Sequence, residues 1–238
     1  SQKELANLLW VGLSDHVGSE VNMAEQMTEM QVLAQEKQNT GTTWTHNSEF
    51  DKNGYFLIKD LWDPKELYNP VPEERGQLNY WGMCLDQYRY EPVEKQVEGS
   101  LARYWFPQYR DIHTGVRLKL EKIIGRKLYN TYYYDRFYFP GQSLTLHADR
   151  PACEISVSVH ISTNLEGEDA KWPFWIKTPS GEHHAISAKP GDGILYKGCE
   201  RPHWRNPMPG VRKRDRFNFF KKNNSYYYHQ IFFHYVLQ

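Results

Sequence analysis

The chain has 238 residues, with 29 Lys and Arg against 29 Asp and Glu and no formal net charge. Bulk charge therefore gives no support to nucleic acid or an anionic membrane as the main partner, and no apolar run approaches the roughly 18 residues that a spanning helix needs. This length can bury a real core in one β domain or two small ones, and an aromatic share of 15% with 17 Tyr suits sheets and aromatic-lined pockets.

Residues 1–37 have a helical pattern: Leu5, Leu8, Leu9 and Leu13, then, after Gly18, Val21, Met23, Met27, Met30 and Leu33. They are expected to form a helical flank packed on a sheet, with a Met-lined docking face as the alternative, and the polar stretch to Asn47 reads as a loop. This divides the chain into a flank at 1–47 and a single compact domain at 48–238. Gly54 to Trp62 reads as a strand. Asp63-Pro64-Lys-Glu66 starts a helix, with Asp as N-cap, Pro at N1 and Glu at N3. Residues 69–107 carry no clear period. Ile112, Val116, Leu120, Ile123 and Ile124 predict a helix over 108–125 closed by Gly125.

Beyond that point the pattern is almost wholly β. Strands are expected at 128–139, 144–162, 172–178, 183–187, 194–196 and 226–237, separated by Gly/Pro turns. Helices followed by strands at this spacing predict a mainly β, α+β chain built on a barrel or sandwich. The three cysteines, Cys84, Cys153 and Cys199, are odd in number and widely spaced, which argues against a disulfide framework and for a reducing, cytoplasmic setting. No charged-then-apolar signal segment opens the sequence as given.

Within the longest predicted strand, His147 and Asp149 stand two residues apart, so a period of two points both side chains to one face. His203 is a third candidate ligand. Two imidazoles and one carboxylate form a facial triad that suits Fe(II) and leaves coordination positions open. A structural zinc site would close its coordination, usually with cysteine; Cys153 and Cys199 lie near these ligands in sequence, but neither belongs to a paired-Cys motif. His160, His183, His184, His229 and His234 are further histidines that read individually as packed or surface side chains. For the triad itself the alternative is a set of hydrogen-bonding groups in the wall of the barrel.

Gly54-Tyr-Phe-Leu-Ile-Lys-Asp-Leu, Phe139-Pro-Gly-Gln-Ser-Leu-Thr-Leu-His147-Ala-Asp149, Gly191-Asp-Gly-Ile-Leu-Tyr and His203 resemble the Fe(II)/2-oxoglutarate-dependent dioxygenases, over roughly residues 52–238. More narrowly, Thr131-Tyr-Tyr-Tyr-Asp-Arg136, His147 to Glu154, Gly198 to Arg205 and Gln230 to Val236 resemble an uncharacterised bacterial and phage branch near the prolyl-4-hydroxylase-like proteins. The resemblance implies a double-stranded β-helix (jelly-roll) core and a metal held by His147, Asp149 and His203. It also implies hydroxylation coupled to decarboxylation of 2-oxoglutarate to succinate and CO2, with O2 as oxidant. The substrate class it implies is a peptidyl side chain such as proline, or a small metabolite. Asp149 favours hydroxylation, because related halogenases lack that carboxylate.

Relatives often carry the arginine for the far carboxylate of 2-oxoglutarate at the start of the last strand, where this chain has Tyr228-His229-Gln230-Ile231. Arg205 is the preferred substitute, since a strand running on from His203 turns it to the same face. Arg212 is second and Arg136 third. The basic and aromatic run over 212–222 reads as a solvated loop, a lid over the barrel mouth or, more weakly, a single-stranded nucleic-acid contact. Two rival functions remain at this point: a non-catalytic jelly-roll binding module, and a facial-triad iron oxygenase that uses no 2-oxoglutarate.

Overall fold

The structure is a computed structural model that describes residues 47–73, 88–90, 96–210 and 226–238. The expected N-terminal helices, Cys84, Arg212 and the run over 212–222 lie outside the described residues. Among the described residues no helix is long and apolar enough to cross a membrane.

Asn47 accepts from the N–H groups of Glu49 and Phe50 and so opens α1 (Ser48–Asn53). Then come β1 (Tyr55–Ile58), α2 (Pro64–Leu67), β2 (Leu101–Tyr104) and α3 (Arg110–Ile124). The strand expected over 54–62 ends at Ile58, because Asp60 takes a positive φ of 49° and its N–H is caught by the Asp192 carboxylate. α2 begins as expected, with Asp63 accepting from the Lys65 N–H. Glu66, however, accepts from the Trp62 indole rather than closing a capping box. The helix over 108–125 forms, and Gly125 closes it in the left-handed conformation at φ 67°. β2 lies in the stretch over 69–107 that carries no clear period.

The remaining strands are β3 (Leu128–Tyr138), β4 (Leu144–His147), β5 (Ile155–Thr163), β6 (Phe174–Lys177), β7 (His183–Ile186), β8 (Gly193–Tyr196), β9 (His203–Arg205) and β10 (Tyr228–Leu237). One correction matters for the site: the single strand expected over 144–162 is two. β4 stops at His147, a 3-10 turn occupies Pro151–Cys153, and β5 starts in the other sheet. The larger sheet has the order β1-β8-β5-β10-β3-β2 and the smaller β4-β9-β6-β7, every pair antiparallel. From β3 onward the chain passes back and forth between the two sheets, which is a jelly roll.

β5 shows why this sandwich has an interior suited to ligands. Its sequence alternates strictly, and both of its faces are buried. Ile155, Val157, Val159 and Ile161 face outward and form one core with Ile112, Val116, Leu120 and Ile124 of α3. Each such side chain, fully buried, contributes about 1.5–3 kcal/mol. Ser156, Ser158 and His160 take the alternate positions, facing the space between the sheets, where Ser156 meets His234 of β10. A polar lining at positions that a purely structural sandwich would fill with aliphatics must be matched by hydrogen-bonding partners.

Candidate metal centre

β4 and β9 pair with Leu144 opposite Arg205 and His147 opposite His203, the register shifting between them. This places the two imidazoles side by side, with ring centroids 4.4 Å apart. Asp149 arrives differently from the sequence expectation. It lies past the end of β4, and a long-range bond from its N–H to the Gly198 carbonyl at 2.9 Å folds it back. Gly198 has to be glycine for this approach, because a Cβ there would collide with the Cys153 carbonyl, Asp149 Oδ2 and Ser156 Oγ. Asp149 Oδ1 then stands 3.5 Å from His147 Nε2 and 3.6 Å from His203 Nε2.

The other nitrogen of each ring is tied to backbone. His147 Nδ1 meets the Thr145 carbonyl at 2.8 Å, and His203 Nδ1 meets the Arg201 carbonyl at 2.9 Å. A carbonyl only accepts, so each Nδ1 carries the proton and each neutral Nε2 presents a lone pair. Such backbone partners hold a metal-binding histidine in one tautomer and orientation. Burial opposes ionisation of Asp149, but the adjoining His147, His203 and His234 outweigh it and hold the carboxyl down to about 2. Burial pushes the His203 pKa down. It pushes His147 the same way, yet the adjoining Asp149 carboxylate and the Thr145 carbonyl prevail and leave its pKa raised. Two imidazole nitrogens and one carboxylate oxygen therefore converge, a donor set that fits Fe(II).

The group borders a cavity of about 260 Å³ lined on one side by Tyr104, Tyr132, Tyr134 and His234. Tyr104 and Tyr134 stack at 4.8 Å, and Tyr132 stacks on His234 at 4.5 Å. Gln96 reaches His147 Nε2 at 3.0 Å, and its carbonyl oxygen accepts from Arg136 at 3.0 Å. Arg136 is thus buried on the inner face of β3 and two hydrogen bonds from His147.

Arg205 is also buried, on the inner face of β9, while Trp204 between it and His203 is half-buried. One Nη donates to the Trp172 carbonyl and the other to Gln230 Oε1 at 2.8 Å, and the guanidinium lies over Trp172, Tyr228 and Phe174. Every one of these partners is neutral, and among the described residues no carboxylate pairs with it. His234 adjoins Asp149, whereas the remaining histidines stay apart from the triad. His160 bonds the Ala188 carbonyl, His229 bonds Asp135, His184 meets the Tyr55 hydroxyl, and His183 packs on Trp204 at the surface. Gln96 and Gly198 carried no recognised role in the sequence; only the glycine, inside the Gly198 to Arg205 motif, left a mark there.

No protein-family model and no curated protein matches the chain. Its fold is that of the 2-oxoglutarate/Fe(II) oxygenases, the double-stranded β-helix. A 2OG-Fe(II) oxygenase family oxidoreductase from Burkholderia pseudomallei superposes with a TM-score of 0.52 at 11% identity, over 83% of this chain and 96% of that one. A prolyl-4-hydroxylase from Pseudomonas putida gives 0.51 at 10%, over 79% and 95%. A viral collagen prolyl hydroxylase from Paramecium Bursaria Chlorella virus-1, in a 2OG complex, gives 0.50 at 14%, over 78% and 98%.

Proposed function

We propose that the chain is an Fe(II)- and 2-oxoglutarate-dependent oxygenase, a hydroxylase acting on a peptidyl or small-molecule C–H bond. The observation that carries this reading is the convergence of His147 Nε2, His203 Nε2 and Asp149 Oδ1 at the mouth of a polar-lined jelly roll, with both Nδ1 atoms already committed to carbonyls. The likeness to a 2OG-Fe(II) oxygenase family protein and to prolyl hydroxylases, and to HygX from Streptomyces hygroscopicus with nickel and 2-oxoglutarate bound, supports it. Bound together, Fe(II) and 2-oxoglutarate supply O2 activation coupled to decarboxylation of the keto acid to succinate and CO2.

The chain's own residues then do the holding. His147, Asp149 and His203 serve as protein ligands and leave the remaining positions open. Arg205 anchors the far carboxylate of 2-oxoglutarate: a buried guanidinium surrounded by neutral partners calls for an anion, and Gln230 and the Trp172 carbonyl fix the fork that receives it. Arg212 remains the second anchor candidate and Arg136 the third. Tyr104, Tyr132 and Tyr134 keep the cavity water-poor and offer flat faces to a substrate. Asp149 supports hydroxylation over halogenation. The flank at 1–47 and the domain at 48–238 stand as the proposed division. Cys153 and Cys199, both free, support a reducing, cytoplasmic setting.

Anaerobic Fe(II) titration followed by 2-oxoglutarate-dependent succinate release tests the proposal. One iron per chain and turnover that requires 2-oxoglutarate are expected. Iron binding without 2-oxoglutarate binding would point to another facial-triad oxygenase, and no iron binding to a binding module.

A further inference from the structure

The mechanism above uses one oxygen of Asp149. The other, Oδ2, accepts from Ser156 Oγ at 3.2 Å, and the same hydroxyl reaches His234 Nδ1 at 2.8 Å. Cys153, in the 3-10 turn four residues after Asp149, completes a group in which carboxylate oxygen, thiol sulfur and imidazole nitrogen all lie within 4.8 Å of one another. All three residues line the cavity beside the triad, and Cys153 and His234 are each only 2% exposed.

We propose that Asp149, Cys153 and His234 form a second metal site, on the Oδ2 side of the shared carboxylate, for a borderline-soft divalent ion of the zinc or cobalt kind. One sulfur, one nitrogen and one oxygen ligand with a position left over is the donor set of an open zinc site, softer than the two-imidazole set next to it. The side chains are held in place before any ion arrives. The Cys153 N–H donates to the Arg150 carbonyl at 2.9 Å, and the Tyr132 hydroxyl lies 3.2 Å from its sulfur. His234 is clamped between its Ser156 bond and the Tyr132 ring.

A cysteine that served only as apolar filling would sit among aliphatic neighbours. Cys153 belongs to a buried cluster, but its sulfur also meets the Tyr132 hydroxyl and the Arg150 guanidinium and lies within 4.8 Å of an Asp149 oxygen and a His234 nitrogen. Burial and the Asp149 charge hold its thiol well above the ordinary range, while Arg150 and the Tyr132 hydrogen bond work the other way. Binding exchanges the S–H bond for a sulfur–metal bond and releases one proton per ion, with no change of oxidation state. Because Asp149 belongs to both sites, an ion in one draws on a ligand of the other.

The proposal stands independently of the oxygenase reading, and Co(II) titration of the full chain separates the two. A near-ultraviolet thiolate-to-cobalt charge-transfer band is expected in the unaltered protein and in His203→Ala, which damages only the triad. Cys153→Ala should abolish the band, and His234→Gln should weaken cobalt binding about tenfold or more. Absence of the band in the unaltered protein, or its persistence in Cys153→Ala, overturns the proposal. If Cys153→Ala does not fold, His234→Gln added to His203→Ala decides, and cobalt affinity unchanged from His203→Ala overturns it. Loss of iron binding in His203→Ala with the charge-transfer band intact would show the two sites to be distinct.

Discussion

Among the described residues, Asp135, buried, and Asp149, partly buried, both face imidazoles, and they serve opposite ends. Asp135, on β3, takes both nitrogens of a forked contact from Arg103 at 3.0 and 3.1 Å, His229 Nε2 at 2.8 Å and the Tyr90 hydroxyl. It is fully buried, and its acceptor sites are filled by groups that neutralise it. Burial alone would raise its pKa, but Arg103 and His229 bring it below the ordinary value. Asp149 faces its two histidines at 3.5 and 3.6 Å, beyond good hydrogen-bond distance, across from Nε2 atoms that the tautomer leaves as lone pairs. The first arrangement is closed and holds β2, β3 and β10 together. The second brings electron pairs toward one another, an arrangement that favours a cation between them. Residue types do not separate the two cases; who donates and who accepts does.

Asparagine at each position should break the comparison cleanly, and this is the largest effect expected. Asp149→Asn keeps the shape and the Ser156 bond but removes the charge, so iron affinity and turnover should fall by more than about 100-fold, beyond the usual cost of losing an outer-shell partner. Its unfolding midpoint should stay close to that of the parent. Asp135→Asn should do the reverse, costing about 3–5 kcal/mol of stability because Arg103 is left buried without its anion, while the folded fraction binds iron normally. Denaturant melts and iron titrations of the pair measure both, and an Asp149→Asn protein that holds iron like the parent would remove the proposed centre. The arginines repeat the contrast on a smaller scale. Arg205→Met should weaken 2-oxoglutarate binding by about 2–5 kcal/mol, at least roughly 30-fold, with the fold kept. Arg103→Met should cost about 3 kcal/mol of stability, since His229 and Tyr90 still bond Asp135.

This contrast also explains what the sequence could and could not reveal. His203 and Arg205 were legible because β9 is a true strand, buried at both and half-buried at Trp204 between them. His147 and Asp149 were paired for a reason that the structure does not uphold. The period of two fails after His147, where the strand ends, and Asp149 is brought round by the Gly198 carbonyl instead. That bond joins residues far apart in the chain, and no local pattern encodes it. The jelly roll was legible from turn spacing and motif resemblance, whereas β2 was not, being four residues in a stretch without periodicity. The Asp135 network escaped for the same reason as the Gly198 bond. A lone carboxylate in a tyrosine-rich strand demands partners, yet nothing local names Arg103, Tyr90 and His229.

Ser156 offers a finer test of the open arrangement. Its hydroxyl holds Asp149 Oδ2, so Ser156→Ala should leave the carboxylate free to swing and weaken iron binding by about 10-fold to 100-fold, with a small change in stability. Iron affinity equal to the parent would mean that the Gly198 clamp alone positions Asp149.

The smallest effect per step comes from imidazoles that belong to neither carboxylate. His113 lies under β10, with Nε2 on the His234 carbonyl, and His160 lies in the interior, with Nδ1 on the Ala188 carbonyl. Burial is the main cause that lowers them, to about 3 and about 4, from the ordinary 6.5. Below pH 6.5 the unfolded chain takes up a proton at each that the folded chain refuses. Stability is therefore fully present above 6.5 and declines as pH falls toward the folded values, by about 1.4 kcal/mol per pH unit for each histidine. Denaturant melts at pH 7, 6 and 5 should trace that slope in metal-free protein, and His113→Gln, which can keep a donor to the His234 carbonyl, should remove about half of it. A slope unchanged by His113→Gln would assign the acid sensitivity to the Asp149 group instead, and would erase the separation between a closed region that fixes the fold and an open one that binds.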